Sequence, residues 1–154
     1  MRLASRTDIE APAAGLYAAL TNLDWLQDSA RAAAVRLRRT DQGHGLVVGA
    51  SWHSTLLWRG RERNAECTVE RIEAPRSVRL GCRSGAYFCT IDLTLAPLSR
   101  KLTRMAVVVE VKPLSVRARL MLQTLRIGKS RLQARLDRRV EAAGRVLMKR
   151  TRAD

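Results

Sequence analysis

The stretch RIGKSRLQARLDRRVEAAGRVLMKR, Arg126 to Arg150, decides how the whole chain is read. Its apolar residues recur in steps of three and four, and the pattern reaches back toward Pro113. Ala118, Met121, Leu122, Leu125 and Gly128 lead into Leu132, Leu136, Val140, Ala143 and Leu147, one apolar stripe along a single helix. Arg117, Arg131, Arg135, Arg138 and Arg145 fall elsewhere on the wheel. A helix from Ser115 to Arg150 would be about 50 Å long at ~1.5 Å per residue. Such a helix can bind nucleic acid, lie on a membrane, or pack its stripe into a core and leave a basic face outside. What precedes it decides among these.

Upstream the period is two. Arg2 to Ile9 alternates and reads as a strand, and Pro12 then opens a short helix through Leu20. Asn22 or Asp24 caps a second short helix containing Trp25 and Leu26. Strands follow in series. Ala34–Thr40 sets Val35 and Leu37 on one side, and 49–59 sets Trp52, Ser54, Leu56 and Trp58 together. Arg63–Ile72 carries Ala65, Cys67 and Val69, and Ser77–Arg83 carries Val78, Leu80 and Cys82. Ala86–Leu95 carries Tyr87, Cys89, Ile91 and Leu93, and Thr103–Lys112 carries Met105, Val107 and Val109. The other side of each strand is charged or small and polar, as a sheet with one wet face requires. The breaks QGHG, EAPRS, RSGA and PLSRK are short enough for hairpins. Six or seven antiparallel strands and one long helix with one stripe pack simply if the sheet curls and grips the helix.

Composition agrees. The chain has 154 residues, 46% hydrophobic and 28% charged, enough for one domain, residues 1–154, with a real core. Its longest apolar run, Met105–Val109, is too short to span a bilayer. The opening MRLASRTDIEAP has no apolar stretch of the kind a secretory signal needs, so a cytoplasmic protein is expected. Three cysteines without a CxxC pair predict buried free thiols, not a disulfide framework or a zinc site. The net charge is +15, and from Pro113 onward twelve basic against three acidic residues give +9 of it.

In this order of elements the chain resembles the START-like, or SRPBCC, superfamily, which includes polyketide cyclases and lipid-transport domains. The resemblance rests on DIEAPAAGLYAALTNLDWL, then GASWHSTLLWRGR followed by VERIEAPRSVRL, then IDLTLAPLSRKLTRMAVVVEV and the long last helix. It implies an α+β helix-grip fold: a curved antiparallel sheet of six to seven strands around a long C-terminal helix, with two short helices after the first strand. It also implies an apolar cavity between sheet and C-terminal helix, used across the superfamily for lipids, sterols, polyketides or quinones. It carries no shared catalytic set, so the ligand must be argued from the site.

Strand parity supplies the expected cavity lining. From the third and fourth segments come Trp52, Ser54, Leu56, Trp58 and Cys67. Tyr87, Cys89, Ile91, Met105 and Val107 follow from the later strands, and Leu125, Lys129 and Leu132 from the helix. No inward strand position is a histidine or carboxylate, so no catalytic residue is assigned. His44 sits in a loop, and His53 would face inward only if a bulge flipped its register. Trp52 and Trp58 read either as core filling or as flat cavity walls. Lys129 snorkels to the rim or meets a ligand oxygen. No dinucleotide, P-loop, nucleophile-elbow or zinc-protease motif occurs, and no metal or cofactor is expected.

The leading function is therefore binding or carrying a hydrophobic small molecule such as a lipid, quinone or polyketide-like compound. A cyclase or aromatase-like enzyme using the same cavity is the alternative. A nucleic-acid-binding domain comes third, because aromatic stacking platforms are scarce. Val116, Leu120 and Ile127 form a second apolar patch opposite the main stripe. Short elements near Trp25 would cover it, or it would meet a second subunit or an anionic membrane.

Overall fold

The structure, a computed structural model, describes residues 1–58 and 60–153. Strand β1 (Arg2–Ile9) is followed by helices α1 (Ala13–Leu20) and α2 (Leu23–Ala32), then β2 (Arg36–Arg39). Strands β3 (Ser51–Trp58), β4 (Arg61–Glu73), β5 (Ser77–Ser84), β6 (Tyr87–Pro97) and β7 (Thr103–Pro113) run in sequence. Helix α3 (Val116–Leu125), a 3-10 turn (Arg126–Gly128) and α4 (Lys129–Ala153) complete the chain.

The seven strands make one curved antiparallel sheet in the order β1-β7-β6-β5-β4-β3-β2. Each hairpin joins neighbours, and β1 closes against β7, where Ile9 lies opposite Thr103. The buried Thr103 hydroxyl donates to the Ala11 carbonyl at 2.8 Å and so fixes the corner where β1 turns into α1. Asn22 caps α2, its side-chain oxygen accepting from the Asp24 and Trp25 amides at 2.9 and 3.4 Å. Ser115 caps α3 by accepting from the Ala118 amide at 3.1 Å.

The C-terminal helix is interrupted. The 3-10 turn at Arg126–Gly128 separates α3 from α4, so the stripe does not stay in one phase, and Met121 is exposed although its period placed it inside. Ala118, Leu122, Val140 and Leu147 are buried as the stripe requires. Helix α4 lies along β1 and across α1. Gly144 permits this approach, since a Cβ there would sit 3.0 Å from the Thr7 methyl. Gln133 reaches over the sheet edge and donates to the Ala4 carbonyl at 2.7 Å, which covers a backbone group that an edge strand leaves open. The main core lies between these pieces: Ile9, Leu16, Leu95, Met105, Val140 and Leu147 pack with Trp25. Burying side chains of this size contributes about 1.5–3 kcal/mol each.

Candidate functional site

Because α4 covers the β1 side of the sheet, the concave face of β2–β6 is left to α1 and α2. A cavity of about 340 Å³ lies there. Its roof is Leu20, Leu23, Trp25 and Leu26 from the helices, with Thr21 and Gln27 beside them. Its floor is Val35, Leu37 and Arg39 of the β2 arm, Trp52 and Ser54 of β3, and Cys67 of β4. Val78, Leu80 and Cys82 of β5, Ile91 and Leu93 of β6, and Leu46 complete the wall. The sequence expectation set this cavity against the C-terminal helix. The helix instead packs on β1 and α1, and none of its described residues lines the cavity.

The thirteen side chains expected to line one site therefore separate. Trp52, Ser54, Cys67 and Ile91 meet in the cavity. Trp58, Leu125 and Leu132 meet elsewhere, in a cleft of about 300 Å³ shared with Arg131 and Arg135, where the Arg135 guanidinium lies 5.4 Å from the Trp58 ring. Met105 and Val107 belong to the main core under α4. Leu56, Tyr87 and Cys89 are half-buried and border neither space, and Lys129 is exposed. His53 stays on the outer face, bonded to Glu66 and Asn64, because the irregularity in this region falls in β4 at Val69/Arg71 and leaves β3 regular. His44 is exposed in its loop.

The reading of the cysteines as free thiols needs correction. Register sets Cys67 directly opposite Cys82 on adjacent strands, and they form a disulfide with Cα atoms 4.1 Å apart. Spacing along the chain gave no hint, since cross-strand pairing brings together residues fifteen apart. Cys89 is opposite Cys82 on the next strand and is free, and burial pushes its thiol above the ordinary range.

Most of the helix roof and of the β2 and β5 wall was not on the expected list, and Arg39 and Trp25 stand out among those residues. Arg39 forms a two-point ion pair with Asp41, Nε to Oδ1 at 2.7 Å and Nη2 to Oδ2 at 3.1 Å. Asp41 also accepts from the Ser51 and Gly43 amides at 3.1 and 3.0 Å. The Arg39 hydrogen bonds, with help from these amides, hold its carboxyl far below the usual range. The guanidinium lies 5.0 Å from the centre of the Trp52 ring. The signal was present: Arg39 has the same strand parity as Val35 and Leu37. Trp25 was placed in a short second helix, but no facing was assigned to it.

No group of metal-ligating side chains assembles among the described residues, and no helix among them is long and apolar enough to cross a membrane. No family model matches the sequence, and no curated protein matches it. Solved structures do share the fold over nearly the whole chain. The ZhuI aromatase/cyclase from Streptomyces sp. R1128 superposes with a TM-score of 0.71 at 10% identity, covering 99% of this chain and 96% of that one. A protein from Thermus thermophilus gives 0.69 at 16% identity over 99% and 98%. Norcoclaurine synthase from Thalictrum flavum, in complex with dopamine and hydroxybenzaldehyde, gives 0.66 at 11% identity over 97% and 87%. The chain shares its helix-grip fold with these structures.

Proposed function

We propose that the chain binds and carries a hydrophobic small molecule, of lipid, quinone or polyketide-like character, in the cavity between α1–α2 and the concave face of β2–β6. The observation that supports it is the wall itself: a space of about 340 Å³ lined mostly by apolar side chains, two of them tryptophans. That volume is within the range of small-molecule sites. An aromatase/cyclase and a synthase holding dopamine and hydroxybenzaldehyde share the fold, which makes a small-molecule use of it reasonable here. A carrier is favoured over a cyclase because, among the described residues, the lining contains no histidine or carboxylate, and a guanidinium cannot exchange protons near neutral pH. In this reading the ligand is drawn from an anionic membrane surface met by α3. The exposed apolar ridge of Val116, Leu120 and Ile127 supports that docking better than nucleic-acid binding.

Native mass spectrometry after gentle purification tests the carrier reading, together with titration of an apolar fluorescent probe. A co-purifying hydrophobic mass is expected. Probe binding should quench tryptophan emission, and Trp52→Ala should weaken the quench and lower stability by about 3–5 kcal/mol. Absence of probe binding at any concentration would overturn the reading.

A further inference from the structure

The break in the C-terminal helix borders a second space, apart from the apolar cavity. Trp58 at the end of β3, Leu125 at the end of α3, and Arg131, Leu132 and Arg135 of α4 line a cleft of about 300 Å³. The two arginines stand four residues apart, so they are neighbours on one face of α4, and both are exposed. Like charges at this spacing repel. Among the described residues neither has an ion-pair partner, and no carboxylate lines the cleft. The Arg135 guanidinium lies over the Trp58 ring, 5.4 Å from its centre. Stacking of that kind uses a face of the guanidinium and leaves its N–H donors, which lie in the plane, available. The Thr124 hydroxyl beside them already donates to the Leu120 carbonyl at 3.3 Å.

We infer that this cleft is a second binding site, for a phosphate monoester carried on an apolar group. The phosphate is held between Arg131 and Arg135, and the ester group lies against Trp58, Leu125 and Leu132. Phosphate suits the pair better than carboxylate does. Its three free oxygens serve two guanidinium forks at once, and its charge, about −1.5 to −2 near neutral pH, balances both. A bare anion would leave the apolar wall unused, and an uncharged ligand would leave the arginines unneutralised. The site is independent of the cavity under α1–α2, with which it shares no lining residue. The same phosphate chemistry occurs on soluble aryl or alkyl phosphates and on the headgroup of phosphatidic acid.

Calorimetric titration of the full chain with naphthyl phosphate, naphthoate, inorganic phosphate and dihexanoyl phosphatidic acid below its micelle concentration tests this. Naphthyl phosphate should bind more tightly than naphthoate or inorganic phosphate. Arg131→Gln and Arg135→Gln should each weaken it by roughly tenfold or more, the scale of a lost hydrogen bond to a charged group. Arg138→Gln, exposed on the same helix but outside the cleft, should leave its affinity unchanged. In the wild-type protein, NOEs from the bound naphthyl ring should reach the methyls of Leu125 and Leu132 and not those of Leu80 and Leu93 in the cavity, which locates the site without a variant. Tighter binding of naphthyl phosphate than of phosphatidic acid assigns the site to a soluble ester. The reverse order assigns it to a lipid headgroup, and either order upholds the site. Equal losses in all three variants would mean diffuse charge attraction and overturn it. So would inorganic phosphate or naphthoate binding as tightly as naphthyl phosphate, NOEs to the cavity methyls instead, or failure of both esters to bind.

Discussion

Arg39 and Asp41 show how one ion pair can tie a strand end to its neighbour. The carboxylate takes four hydrogen bonds, two from the guanidinium, one from the Gly43 amide in the loop and one from the Ser51 amide, and so ties the end of β2 to the start of β3. Its folded-state pKa is depressed, so its stabilisation is fully present above the unfolded value near 3.8 and is lost as pH falls below it. Asp41→Asn should therefore lower the melting temperature near neutral pH, and the gap from wild type should narrow as pH drops below about 3.8. A gap that stays constant down to strong acid would show that the pair is not the cause. At this scale the sequence was half legible. Alternation found Trp52, Ser54, Cys67 and Ile91, because an inward strand position needs only parity to be read. It did not separate cavity from core, because parity says which face a residue is on and nothing about what covers that face. Met105 and Trp52 have the same inward sense, yet Met105 lies in the main core with residues of α4 and Trp52 lies beneath the cavity.

Among the elements, the C-terminal helix was the most readable and still held a surprise. A three-to-four period over thirty residues identifies a helix and its buried side without any tertiary knowledge. Its break at Arg126–Gly128 was not marked, since Gly128 fits the stripe and no proline interrupts it. The consequence is a division of labour. Helix α4 packs Leu136, Val140 and Leu147 into the main core, while α3 contributes Ala118 and Leu122 and turns other apolar residues outward. Leu136→Asp should bury a charge in that core and cost several kcal/mol, so the protein should unfold or fail to express. Arg138→Asp, exposed on the other side, should leave the melting temperature within a degree or two. Equal tolerance of the two in thermal denaturation would mean that α4 does not hold the sheet as described.

At the scale of the molecule, charge and apolar exposure coincide at one end. Val116, Leu120 and Ile127 are 75%, 59% and 87% exposed, and Met121 and Leu114 flank them at about half. Covering this ridge was one reading of the Trp25 region, but Trp25 is buried in the main core and leaves the ridge open. From Val111 to Leu136 the chain has seven basic residues and no acidic one. Among the described residues, Arg117, Arg119, Arg126 and Arg131 form no ion pair. An apolar ridge bordered by unpaired cations suits an anionic bilayer, where side chains enter the interface and each nearby arginine contributes on the order of 1 kcal/mol. A DNA duplex would use the cations but gain nothing from Ile127. We therefore expect co-sedimentation with vesicles containing anionic lipid at low salt and little with neutral vesicles. Raising salt to a Debye length of roughly 3 Å should release most of the protein. Leu120→Glu with Ile127→Glu should abolish vesicle binding and leave the fold intact, because both side chains already face solvent. Strong binding to duplex DNA with indifference to anionic vesicles would overturn the membrane reading and return the arginine helix to the nucleic-acid class.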